Sequence, residues 1–153
     1  MSAFKVPIKS GLNENYGKLK QTVEGLTPEE LLWQPGPESN HILWTVWHMA
    51  RVSDRWANST VLGGDELWEA DGWAERLGMP VEKYGRGETP EQVRDFPPVD
   101  IGLVFEYFDQ SHASLLAMIE LGKEKGYELV ATTPVNALFV LADLFDVFEI
   151  ADN

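Results

Sequence analysis

Asn40-His41-Ile42-Leu43-Trp44-Thr45-Val46-Trp47-His48-Met49-Ala50-Arg51-Val52-Ser53-Asp54-Arg55-Trp56 is the stretch on which the fold turns. Apolar side chains fall on most sides of it, with Ile42, Leu43, Trp44, Val46, Trp47, Met49, Val52 and Trp56 all inside four turns. A helix this apolar belongs in the middle of a helical assembly rather than on its surface. The spacing predicts one long helix from about His41 to Val61, capped by Ser39 or Asn40 and ended by Gly63-Gly64.

Upstream, Leu12, Tyr16, Leu19 and Val23 recur at steps of three and four, which predicts an amphipathic helix from Ile8 to about Glu24. Thr27-Pro28-Glu29-Glu30 then starts a short helix, with Thr as N-cap, Pro at the first position and a Glu closing a capping box. Pro35-Gly36-Pro37 stops it. Downstream, the chain to Pro98 is irregular, with short helical pieces around Asp65–Leu77 and after Thr89-Pro90. A connection of that length usually carries function or covers a pocket. A third long helix fits from Asp100 to Lys125, and Thr133-Pro134 repeats the Thr-cap, Pro-start signature, predicting a fourth helix from Val135 onward. Period-two alternation is not evident, so the expected class is all-α: a four-helix bundle with a long, partly helical connection between the second and third long helices. With 153 residues, one domain over 1–153 is expected.

Composition narrows the chemistry. There is no cysteine, which excludes disulfides and thiolate nucleophiles from the chain and leaves only histidine and carboxylate donors for a metal. A formal net charge of −13 argues against nucleic acid and anionic membrane as partners, because phosphate recognition needs clustered Lys and Arg. No apolar run approaches the roughly 20 residues that cross a bilayer. MSAFKVPIKSG has no apolar signal core, so a cytoplasmic location is expected.

Of the three histidines, His48 stands out, since Trp44, His48 and Val52 are four apart and share a helix face. Such a histidine is either a hydrogen-bonded core residue or a ligand. His41 lies about 10 Å away along the axis, too far to share a small metal with His48, and reads as an exposed helix-start residue. His112 can face either inward or outward. Asp143, Asp146, Glu149 and Asp152 either form a solvated stripe or send one or two carboxylates inward to complete a site with His48. The tryptophans from Trp33 to Trp73 read as core and loop packing, with a few lining an apolar pocket beside His48.

The quoted helix resembles the second helix of DinB-like proteins, and Leu26-Thr27-Pro28-Glu29-Glu30-Leu31, Leu67-Trp68 and Gly72-Trp73 are similar to the same family. The resemblance covers nearly the whole chain. It implies a four-helix bundle, often a homodimer, whose divalent metal (zinc or nickel) is held by one His of the second helix and two ligands four residues apart on the fourth. His48 matches the second-helix ligand. In the fourth-helix segment Leu141–Ile150 there is no histidine, and Asp146 is the residue placed to act as a ligand, with Ala142 and Ile150 unable to serve as its partner. The resemblance further implies a metal-dependent transferase or isomerase using an external low-molecular-weight thiol, or a hydrolase, acting on a small molecule in the bundle pocket. The alternative is a metal-less binding or stress-associated interaction module on the same scaffold.

Overall fold

Helix formation follows the punctuation of the sequence. The computed structural model describes residues 5–133 and 136–141. Its elements begin with α1 (Lys5–Val23) and the short α2 (Pro28–Leu31). The Thr27 capping box is complete: Thr27 Oγ1 accepts from the Glu30 amide at 3.3 Å, and a Glu30 carboxylate oxygen accepts from the Thr27 amide at 2.8 Å. The apolar segment forms α3 (Ile42–Asp54), which continues as a π-helical stretch, Arg55–Val61. The connection carries α4 (Leu67–Ala70), α5 (Trp73–Arg76) and α6 (Pro90–Arg94), where Thr89 and Gln92 repeat the capping box. The third long helix, α7 (Ile101–Glu124), opens on Asp100, whose Oδ1 accepts from the Leu103 amide at 2.9 Å. The chain is thus predominantly helical, as the expected class requires.

The expected fourth helix is corrected over part of its length. Gly126, at φ +78, takes the chain out of α7. Then β1 (Tyr127–Thr133) and β2 (Asn136–Leu141) pair as an antiparallel hairpin, with Thr133 opposite Asn136 and Tyr127 opposite Leu141. A bulge interrupts the register between Leu129 and Ala131. Thr133, read as a helix cap, is instead a strand residue. Its β-branch suits a strand equally well, and an apolar run as short as Ala137–Leu141 does not by itself distinguish the two states. Residues 142–153, including Asp143, Asp146, Glu149 and Asp152, lie outside the described residues.

Two compact units divide the chain: Met1–Thr22 with Leu116–Asn153, and Val23–Leu115. In the first, Lys9 Nζ pairs with Glu120 at 2.7 Å, a half-exposed ion pair of the kind worth at most about 1 kcal/mol. The second holds an aromatic core in which Trp47, Trp68, Trp73 and Tyr107 are fully buried. Ring centroids lie 5.9 Å apart for Trp47–Trp68, 5.6 Å for Trp68–Tyr107 and 5.5 Å for Trp73–Tyr107, spacings that add roughly 0.5–1.5 kcal/mol per pair to the burial itself. Trp33 and Trp56 are the exceptions and stay half-exposed or more.

Candidate functional site at His48

The face shared by Trp44 and His48 is real. Their rings stack at 4.6 Å and 20°, which fixes the imidazole plane along α3. From the connection, the Tyr84 carbonyl meets His48 Nδ1 at 3.1 Å, and the Tyr84 ring stands edge-on to the imidazole at 6.0 Å. A carbonyl can only accept, so Nδ1 carries the proton of the neutral ring and Nε2 carries the lone pair. No hydrogen bond engages Nε2 among the described residues. Burial lowers the His48 pKa below its ordinary 6.5, an effect assisted by nearby Arg51 and opposed by the Tyr84 hydrogen bond and by Glu88. At neutral pH the side chain is therefore uncharged and oriented, with the Nε2 lone pair available.

This approach of backbone to imidazole requires a glycine. Gly85 sits at φ +87, and a Cβ there would lie 2.5 Å from His48 Nδ1 and 3.0 Å from Trp47 Cζ3. Around this contact, both oxygens of Glu88 are engaged: one accepts from Trp44 Nε1 at 2.7 Å, the other from Lys83 Nζ at 2.8 Å. The fully buried Trp47 presents an indole N–H with no hydrogen-bond partner among the described residues.

A buried polar network on the next face of α3 anchors the connection that orients His48. Asp54, wholly buried, accepts from Asn58 Nδ2 (2.8 Å), the Leu67 and Trp68 amides (2.9 Å each) and Tyr107 Oη (2.7 Å). It thereby caps α4 from thirteen residues away, in place of Glu66, whose side chain makes no cap. Arg51 donates to Glu66 at 2.8 Å, to Tyr107 Oη at 3.2 Å and to the Lys83 carbonyl at 3.2 Å, with its guanidinium over the Trp68 ring. Burial raises the Tyr107 pKa far above its ordinary value, so the phenol stays protonated and donates to Asp54. The sequence reading assigns none of these four residues, Arg51, Asp54, Glu66 and Tyr107, a role at the site. The signal was the i, i+4, i+7 spacing of Trp47, Arg51 and Asp54, which puts two charges on the most apolar face of the helix.

His41 corrects the sequence reading. It is buried rather than exposed, and it is the N-cap of α3: Nδ1 accepts from the Trp44 amide at 3.1 Å and Nε2–H donates to the Val93 carbonyl at 3.0 Å. His112 is buried. Burial lowers the pKa of His41 as it does that of His48. A histidine whose folded pKa lies below its unfolded value contributes stability that is complete above about pH 6.5 and lost as pH falls toward the folded value. The urea midpoint is therefore expected to be lower near pH 5.5 than near pH 7.5 at equal m-value, and His41→Asn, which keeps a side-chain cap, should narrow the gap. A midpoint that does not move with pH would refute this.

As to metal, no group of three or more His, Cys, Asp or Glu side chains that could hold an ion exists among the described residues. His48 supplies one donor, both Glu88 oxygens already accept from Trp44 and Lys83, and Asp146 is outside the described residues. The described donors alone do not fit the zinc or nickel site the resemblance implies.

A predominantly helical chain with a His-bearing apolar helix and a long connection folded over it defines a protein of DinB-like class. The chain belongs to the DinB superfamily, whose family model matches residues 12–148. A conserved protein from Enterococcus faecalis, known as a crystal structure, is similar at a TM-score of 0.71 and 22% identity, over 90% of this chain and 82% of that one. At that identity the likeness shows the fold. No curated protein matches the chain. Among the described residues, no helix is long and apolar enough to cross a membrane.

Proposed function

We propose that this DinB-superfamily chain binds and transforms a small molecule at His48, with Nε2 as the acting atom. The observation that carries this reading is the bond from Nδ1 to the Tyr84 carbonyl, which leaves Nε2 with its lone pair free to accept a proton or bind a metal at pH 7. Such an atom can take the proton of a bound thiol or water, while Nδ1–H stays on Tyr84. An external thiol suits a chain that has no cysteine of its own. A divalent ion held by His48 would lower the pKa of a bound water or thiol. From this chain it would need Asp146 and at least one further donor. Transferase, isomerase and hydrolase chemistry all remain within this reading, as does a single domain over 1–153.

The second reading, a metal-less binding module, has its own support: the committed Glu88 carboxylate, and strand at Asn136–Leu141 where the ligand-bearing helix was expected to begin. Elemental analysis of tag-free protein separates the two. About one divalent ion per chain in the wild type and none in His48→Ala supports the metal-dependent form. A metal-free wild type sinks it, and a thermal-shift rise with small thiols that His48→Ala abolishes then supports the module.

A further inference from the structure

The tightest departure from the chain's acidic character lies one step from His48. A cleft of about 240 Å³ opens between the π-helical stretch and the Tyr84–Arg86 turn, lined by Arg55, Trp56, Thr60, Tyr84 and Arg86. In a chain with 25 acidic and 12 basic side chains, this lining has two guanidinium groups, the hydroxyls of Thr60 and Tyr84, the aromatic side chains of Trp56 and Tyr84, and no carboxylate. The neighbouring cleft of about 350 Å³ is the reverse, with Asp65, Glu66, Glu69 and Glu82 against Arg51 and Arg55.

Both guanidinium groups of the smaller cleft have donors to spare. Arg86 makes no hydrogen bond or ion pair among the described residues. Arg55, which also borders the acidic cleft, makes no hydrogen bond among them either, and its one ion pair there is a long one to Glu66, 3.8 Å from Nε. Arg55 is also pre-oriented, its guanidinium lying 4.6 Å from the Tyr84 ring centroid. Planar guanidinium forks match the two oxygens of a carboxylate or phosphate, and stacking on an aromatic ring reduces the freedom lost when they close on it. Trp56, half-exposed, offers a flat apolar wall beside them. The volume is below that of the usual drug-sized pocket, which limits the occupant to a small molecule.

We infer that this cleft is a binding site for a small organic anion, a carboxylate or phosphate carried on a flat, apolar body. The anion sits between Arg55 and Arg86, with Thr60 as a further donor and Trp56 against the ligand's ring. The site does not depend on what His48 Nε2 engages. The two are mechanically joined all the same, since Tyr84 both lines the cleft and holds His48 through its carbonyl.

Titration calorimetry of the full chain with benzoate, phenyl phosphate and uncharged benzyl alcohol tests the proposal. At least one anion should bind with a dissociation constant on the order of 1 mM or below, and benzyl alcohol should not. Arg86→Gln and Arg55→Gln should each weaken binding by about tenfold or more through loss of a charge-assisted hydrogen bond. Arg86 has no described partner, so Arg86→Gln should leave the melting temperature in place and decides the matter if Arg55→Gln unfolds. Benzoate binding alone identifies a carboxylate ligand, phenyl phosphate binding alone a phosphate, and either supports the site. Equal binding of benzyl alcohol, absence of binding by both anions, or an Arg86→Gln chain that binds like the wild type overturns it.

Discussion

Asp54→Ala is expected to cost about 3–5 kcal/mol, because it removes one partner of a buried ion pair and strands the others. Asp54 is fully buried, and its carboxylate accepts from four donors while lying 3.5 Å from the Arg51 guanidinium. With alanine there, the Leu67 and Trp68 amides and the Tyr107 hydroxyl lose their acceptor together. Arg51 keeps only Glu66 to balance its charge. For a chain of this size each kcal/mol moves the melting temperature by roughly 2–4 °C, so a drop on the order of 10 °C should appear in calorimetry. Asp54→Asn is expected to be nearly as damaging, since one of its two polar atoms becomes a donor facing donors. Tyr107→Phe, which removes one hydroxyl, should cost only about 1–2 kcal/mol. If Asp54→Ala melts within 2 °C of the wild type, the network is not what holds α4 and the connection in place.

How much of this could be read from the sequence depends on how far away each residue's partner lies. The Trp44–His48 face was legible because its two members are four residues apart, and helix geometry alone brings them together. The capping boxes at Thr27 and Thr89 were local in the same way, and Thr27-Pro28-Glu29-Glu30 alone is enough to predict the first. The burial of His41 was not legible: its second nitrogen is satisfied by a carbonyl 52 residues away, at Val93. Arg51 and Asp54 looked like ordinary helix charges, because what makes them structural is Glu66, Leu67, Trp68, Lys83 and Tyr107. The π-helical turn at Arg55–Val61 has no composition of its own. The hairpin shows the opposite failure. At Thr133-Pro134 a strong local signal for a helix start was overridden by pairing between two short strands. Of the two metal candidates, His48 was legible as a residue with a distinct role, and Asp146 lies outside the described residues.

The glycine that admits His48 to its carbonyl partner was equally invisible, since Tyr84-Gly85-Arg86-Gly87 offers two candidates and nothing in the sequence distinguishes them. The structure does. Both have positive φ, +87 at Gly85 and +74 at Gly87, so either Gly→Ala change incurs the left-handed backbone penalty of about 1–2 kcal/mol. At Gly87 a Cβ meets open space, and the cost should end there. At Gly85 the Cβ would also sit 2.5 Å from His48 Nδ1 and 3.0 Å from a ring carbon of the immovable, fully buried Trp47. Overpacking of that kind adds about 1–3 kcal/mol, so Gly85→Ala should lose roughly 2–5 kcal/mol in all. The chain can relieve the clash only by swinging the turn or the imidazole away, and either movement breaks the Tyr84 bond. Nitrogen-detected spectra of the His48 ring should then change from a single Nδ1–H tautomer in the wild type to a mixture in Gly85→Ala, with Gly87→Ala keeping the wild-type pattern. A Gly85→Ala protein that retains the single tautomer would mean that the Tyr84 carbonyl does not orient His48, and the reading of Nε2 as the acting atom would lose its support.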